Sequence, residues 1–223
     1  RKKKKEIFNT KNVIIIFVPE TISRIHSYWK HFLEFGNILG FKPKFELKNK
    51  KIILYKKHIS KINKNRINQK ISLLKKKDIF FEKKFKKNKF KFPYTLSFFK
   101  NAKKNMLIFY FLILKFFFNK RIFHEKAFSV IVENNLLEAQ SLYADENYNI
   151  LLKKIISEIN NYLSKKKKNV FFFVIPQLFD LKINRKNINS TKFFNSISNN
   201  SKINIFDLTN AMLKIKNIET YYF

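Results

Sequence analysis

The stretch VIIIFVPETISR, Val13–Arg24, decides how the rest of this chain is read. It opens with five apolar residues, Val13 to Phe17, and stops at Pro19, which has no N–H to give to a ladder. A short continuous apolar run is the mark of a strand buried on both faces, as in a parallel sheet. The polar residues after it, Glu20, Thr21, Ser23 and Arg24, fall at the carboxyl end of that strand, where open α/β sheets bind ligands. A helix follows over 22–35, with Ile22, Ile25, Trp29, Phe32 and Leu33 on one face. The only two glycines of the chain, Gly36 and Gly40, stand just beyond it, where a helix cap and a turn belong.

The last third alternates in the same way. Asp145 is an N-cap ahead of residues 150–163, where Leu151, Leu152, Ile155, Ile156, Ile159 and Leu163 recur at helical spacing. Lys165–Lys168 suit the negative end of that helix. The run VFFFVI, Val170–Ile175, is a second strand, ended by Pro176. Ser190 and Thr191 open a short helix to Ile197, INIFDL at Ile203–Leu208 is a third strand, and Thr209 caps a final helix over 210–215. Strands that alternate with helices predict a parallel sheet, with Pro19, Pro176 and Asp207 at one end of it.

The middle reads as an addition to this plan. Residues 42–55 form a hairpin, with Phe45 and Leu47 alternating, a polar turn at Lys48–Lys51, and a return through Ile52–Tyr55. Residues 56–92 are dense in lysine, yet Phe80, Phe81, Phe85, Phe90 and Phe92 predict that the segment packs against something. A long helix is expected over 95–118, its second half apolar almost all round and therefore buried. A further helix or two covers 121–143, with Phe128, Ile131, Val132, Leu136 and Leu137 on a face. Residues 42–120 are thus a hairpin and a basic, then apolar, helical insertion within one α/β domain spanning 1–223.

Composition narrows the function classes. The 223 residues carry a net charge of +33, and hydrophobic residues make up 45% of them, enough for a core. Nucleic acid or an anionic membrane surface is one explanation of the charge. The other is codon bias, because the excess is lysine, which keeps company here with Asn, Ile and Phe, all encoded by A/T-rich codons. The arginines are only Arg1, Arg24, Arg66, Arg121 and Arg185. With no cysteine there is no disulfide, thiol nucleophile or cysteine-ligated zinc. The segment Met106–Phe118 is shorter than the ~20 residues that span a bilayer and is interrupted by Lys115, which favours a buried or interfacial helix. No signal-peptide pattern is present. The start at Arg1 and the aromatic end at Tyr221–Phe223 read as a segment of a longer frame.

Motifs for cofactors are missing, and neither a cofactor nor a metal is expected. No P-loop, dinucleotide-binding glycine pattern, zinc motif or G-x-S-x-G elbow occurs. His26 has no nucleophile or orienting group near it in the sequence and reads as packing or surface. Glu20 and Thr21 support two readings. In one they start the helix, with Arg24 paired to Glu20; in the other Thr21 or a neighbouring N–H donates to an oxyanion. Asp207 reads as a helix-initiating residue.

Three segments together resemble the SGNH/GDSL hydrolase family, in particular bacterial members found with surface-polysaccharide genes. Residues 13–57, from VIIIFVPETISR to the hairpin KPKFELKNKKIILYKK, look like the family's third block. The run LLKKIISEINNYLSKKKKNVFFFVIPQ resembles its next helix and strand, and INIFDLTNAMLKIKNIETYYF resembles the "iDlt" run that leads into its D-x-x-H segment. The resemblance implies a flavodoxin-like sheet flanked by helices and an esterase or acyl-transfer chemistry on an acylated carbohydrate, in the cytoplasm or at the envelope of a bacterium. It places Glu20, Thr21 and Arg24 on the oxyanion and substrate side, with Thr21 or a neighbour where the family has asparagine. The nucleophile block G-D-S and the D-x-x-H block do not occur in this sequence, so the chain alone is expected to be catalytically incomplete. The competing reading is a basic protein that binds RNA or an anionic surface through Lys2–Lys5, Lys56–Lys77 and Lys83–Lys91.

Overall fold

The structure, a computed structural model, describes residues 10–28, 43–55, 72, 75–76, 78, 80–81, 92–183 and 188–217. Three strands and a helix come first: β1 at Asn12–Phe17, α1 at Thr21–His26 and, after a gap in the description, the hairpin β2 at Lys44–Lys48 with β3 at Lys51–Tyr55. Four helices follow, α2 at Tyr94–Phe99, α3 at Ala102–Phe118, α4 at Arg121–Ala144 and α5 at Glu146–Lys165. The chain then runs through β4 at Asn169–Val174, α6 at Leu178–Ile183, α7 at Asn189–Asn200, β5 at Asn204–Asp207 and α8 at Thr209–Met212. It divides into two units, one of residues 1–22, 47–52 and 139–223, the other of residues 23–46 and 53–138.

The first unit is built on a parallel sheet in the order β1-β4-β5. Ile15 lies opposite Phe172, and Phe172 lies opposite Ile205, so the three apolar runs are neighbours in register. The ladder continues past the strand ends through Ile175 N–H to Phe17 O at 2.8 Å and Leu208 N–H to Val174 O at 3.0 Å. Val170, Phe172 and Val174 are buried, and Phe17 stacks on Phe172 with ring centroids 5.8 Å apart. Tyr148, Leu151, Leu152 and Ile156 of α5 and Phe193, Phe194 and Ile197 of α7 are the buried faces of the helices in this unit. Period-two burial in the sheet and period-3.6 burial in the helices meet there.

The opposite face of the sheet corrects the expectation of strands buried on both sides. Ile14 and Ile16 are 62% and 60% exposed, and the burial of β1 and β4 alternates along each strand. A strand is buried twice over only when helices cover both faces. Here Phe173 and Phe206, stacked with centroids 5.1 Å apart, cover each other in part instead.

Helix ends follow local chemistry. The Asp145 carboxylate accepts the N–H of Asn147 at 3.0 Å, which is the N-cap the sequence foretells. At the other end of α5, Lys167 takes φ of 56°, and Lys168 N–H reaches Leu163 O at 3.1 Å while Lys167 N–H reaches Ser164 O at 2.8 Å. That is a Schellman closure, made without glycine. The hairpin turn likewise puts Asn49 and Lys50 at φ of 49° and 62°, the left-handed pair that a two-residue type I′ loop requires.

Several other expectations need correction. The 95–118 helix is two helices, broken at Lys100–Asn101, and α3 has no buried residue although its second half is apolar all round. Phe92 is 86% exposed, whereas Phe80 is buried. α4 is one helix whose buried residues include Ala127, Val130, Leu136, Ala139, Leu142 and Tyr143, while Phe128, Ile131 and Leu137 are exposed. Small and large residues share the buried side, Ala127 and Ala139 among Val130, Leu136, Leu142 and Tyr143. Thr209 is the first residue of α8 and makes no capping bond; the Asp207 carboxylate takes the Thr209 N–H at 2.9 Å instead. Trp29, Phe32, Leu33, Gly36, Gly40, Phe85, Phe90 and Tyr221–Phe223 lie outside the described residues.

In the second unit Asp78, which is buried, gathers four donors. Ser27 Oγ–H and Tyr28 N–H meet Oδ2 at 2.9 and 2.6 Å, and Phe80 and Phe81 N–H meet Oδ1 at 2.9 and 3.2 Å. The Lys44 ammonium lies 5.2 Å from the Tyr28 ring centroid and pairs with Glu46. Burial, then Glu46, Tyr55 and Asp78, pushes the Tyr28 phenol up to about 12.

The sheet makes a stability prediction. Phe172→Ala leaves a cavity at the fully buried centre of β4 and lowers the urea unfolding free energy by about 3–5 kcal/mol. Ile16→Thr on the open face shifts it by no more than about 1 kcal/mol. Equal losses from the two variants overturn the one-sided packing.

Candidate functional site

The carboxyl ends of β1, β4 and β5 lie side by side because the strands are parallel. Each strand leads directly into polar residues: Glu20 after β1, Gln177 and Asp180 after β4, and Asp207 and Thr209 at the end of β5. Proline ends the first two strands, since its missing N–H stops the ladder and turns the chain into a helix.

Asp180 is the third residue of the short helix α6. Its Oδ2 accepts the Gln177 N–H at 2.9 Å, the reciprocal bond by which an acidic side chain holds a helix start. Its Oδ1 accepts from Gln140 Nε2 at 3.0 Å. Gln140, on α4, also donates to Ser190 Oγ at 3.1 Å, accepts the Ser190 N–H at 3.0 Å through Oε1, and receives the Asn189 side-chain amide at its own carbonyl at 3.2 Å. One glutamine therefore ties α4 to the first turns of α6 and α7. One turn further along α4, the buried Tyr143 donates its hydroxyl to Pro19 O at 2.7 Å, and its ring is 5.3 and 5.7 Å from those of Phe193 and Phe194.

The electrostatics follow from this placement. Burial raises the Asp180 pKa above its ordinary 3.8; Glu20 and Asp207 raise it further, while the Gln177 and Gln140 donors oppose the shift. Burial, then Asp180 and Asp207, holds the Tyr143 phenol well above its usual range. Three carboxyl groups and a phenol thus share one electrostatic environment. Asp207 Oδ2, Thr209 Oγ1 and Thr191 Oγ1 are buried and have no hydrogen-bond partner among the described residues. Buried polar atoms are nearly always paired in folded proteins, so these three oxygens, closed to solvent and unpartnered, are exceptions in this unit. Among the described residues no group of three His, Asp or Glu side chains is placed to hold a metal ion.

The residues singled out in the sequence fare differently. Glu20 is buried and within electrostatic reach of Asp180. Thr21 N–H is used by Val18 O at 2.8 Å, closing the turn after β1. Thr21 and Arg24 are both half-buried on α1, and His26 is half-buried at its end. Asp207 does start a helix, through its bond to the Thr209 N–H, and also keeps its second oxygen unpartnered. Sequence reading missed Gln140, Tyr143, Asp180 and Ser190. Only Asp180 leaves a local signal, the spacing Gln177-x-x-Asp180 behind a strand-ending proline.

A pH experiment tests this environment. A carboxyl whose native pKa is raised contributes stability while protonated, and that contribution is lost as pH rises through the native value. The stability of the native chain relative to Asp180→Asn therefore falls as pH climbs from below 3.8 toward neutrality. Urea midpoints of both proteins against pH check this, and a difference that rises with pH refutes it. No protein-family model, curated protein or solved structure matches this chain, so the site is read from its own chemistry.

Proposed function

We propose that this chain is the sheet core of an SGNH-type esterase or carbohydrate acyl-transfer domain, and that it holds an acylated carbohydrate at the carboxyl ends of β1, β4 and β5. The observation that carries the reading is the strand order β1-β4-β5, all parallel and following one another across the sheet in the same sense as along the chain. That is the order of the last three strands in the flavodoxin-like arrangement 2-1-3-4-5, whose ligands sit outside the strand carboxyl ends. The "iDlt"-like run, Asp207-Leu208-Thr209, ends β5 at that edge and contributes two of the unpartnered oxygens. A carboxylate oxygen accepts from a sugar hydroxyl, and a threonine hydroxyl donates or accepts.

The chain's own residues bind in this reading and do not cleave. No G-D-S and no D-x-x-H occurs in the sequence, and a serine without a positioned base is not a nucleophile. The purified chain is therefore expected to release no nitrophenol from nitrophenyl acetate above the buffer rate. In titration calorimetry it should bind an O-acetylated oligosaccharide more tightly than the same oligosaccharide after de-O-acetylation. Thr209→Val, which keeps the shape and removes the unpartnered hydroxyl, should weaken that binding about tenfold while raising thermal stability. Equal affinity for the two glycans, or binding untouched by Thr209→Val, defeats the reading.

A further inference from the structure

We propose that α3 is a membrane-seated helix that lies within one leaflet of an anionic lipid bilayer. The proposal is independent of the ester reading and rests on a different part of the chain.

α3 buries none of its 17 residues, although from Met106 to Phe118 its only charge is Lys115. Phe109, Phe116 and Phe117 are 58%, 84% and 72% exposed, and Met106, Leu107, Tyr110, Leu112, Ile113 and Phe118 are exposed as well. These positions cover most of the circumference of the helix, and Ile108 and Phe111, half-buried on the remaining face, are apolar as well. A helix at the surface of a water-soluble domain shows one apolar stripe, and one that is apolar all round belongs in a core or in lipid. α2 extends the same surface: Tyr94, Leu96 and Phe99 are exposed, Phe98 meets Phe109 edge-on at 6.4 Å, and the Asn105 side chain bonds Phe98 O at 2.8 Å.

Length and charge choose the occupant. Seventeen residues give a helix of about 25 Å, against about 30 Å of hydrocarbon. No described helix is long and apolar enough to cross a membrane, which leaves a seat in one leaflet. Lys100, Lys103 and Lys104 flank the amino end of α3, Lys115 and Lys120 with Arg121 flank its carboxyl end, and no acidic residue occurs between Glu82 and Glu125. Lysine stems run along apolar surface to put their ammonium groups at the level of lipid phosphates. A second copy of this chain would bring the same positive ends together, and a protein partner would cover only one side of the helix. Lipid surrounds a helix and supplies the opposite charge.

The test is flotation of the purified full chain with vesicles of phosphatidylcholine, alone or mixed with phosphatidylglycerol. The chain should float with the mixed vesicles and stay with them through a high-salt wash. Because a net charge of +33 adsorbs to any anionic surface, the deciding variant is Phe109→Asp with Phe116→Asp, both on exposed positions and checked for folding by circular dichroism. Removing the two exposed rings that would enter the lipid should weaken salt-resistant binding more than about tenfold, and each of Lys100→Gln, Lys103→Gln and Lys104→Gln should weaken binding about fivefold. Salt-resistant binding that survives the double variant, equal binding to neutral vesicles, or a dimer in light scattering that the double variant abolishes without vesicle binding by the native chain, would each overturn the proposal.

Discussion

The first unit depends on one packed surface, the face of β4 that carries Val170, Phe172 and Val174. β1 reaches it through the stack of Phe17 on Phe172 and through Phe17 against Phe194 of α7 at 6.1 Å. The same face sets where the chain leaves the sheet, because a parallel strand anchored there must release its chain at the same edge as its neighbours. Phe172 therefore fixes two things at once: the core, and the alignment of Glu20, Asp180 and Asp207 along one rim.

What the sequence revealed follows the range of the interaction concerned. The strands were legible because Val13–Phe17, Val170–Ile175 and Ile203–Phe206 are dense apolar runs bounded by proline or aspartate, a signal that lies within each run. The cap at Asp145 and the hairpin turn were legible for the same reason. α6 was not, since LFDLKI is too short to show a period. The apolar face read on α4 is only partly buried: Leu136 is in the core, while Phe128, Ile131 and Leu137 are exposed and Ala127, which hydropathy ranks lower, is buried. The assumption that an apolar helix is a buried one failed at α3, where hydropathy measures aversion to water and says nothing about which apolar medium replaces it.

The candidate site was only half legible, and the half that was missed is the half that spans the chain. Glu20 and Asp207 sit at strand ends and can be found by inspection. Tyr143 finds Pro19 O across 124 residues, and Gln140 finds Asp180 across 40 and Ser190 across 50. No local spacing encodes such contacts. They exist because α4 passes the rim with residues i and i+3 on one face, a property of the fold and not of any motif.

The rim also bears on the charge of the whole chain. Acidic residues number 15 against 48 basic ones, yet Glu20, Asp180 and Asp207 converge at one edge of the sheet. The groups that meet Asp180 are a backbone N–H and a glutamine amide, so its negative charge is steadied by dipoles and not cancelled by a cation. A phosphate brought to this rim would face carboxylates, whereas a polyhydroxylated neutral ligand would meet acceptors for its hydroxyls. The lysine-rich composition and the rim thus carry opposite charge preferences. In the two proposals above, an anionic surface around α3 answers the positive charge and a neutral, hydroxyl-bearing molecule answers the sheet edge, and the two do not compete because they draw on different elements of the chain.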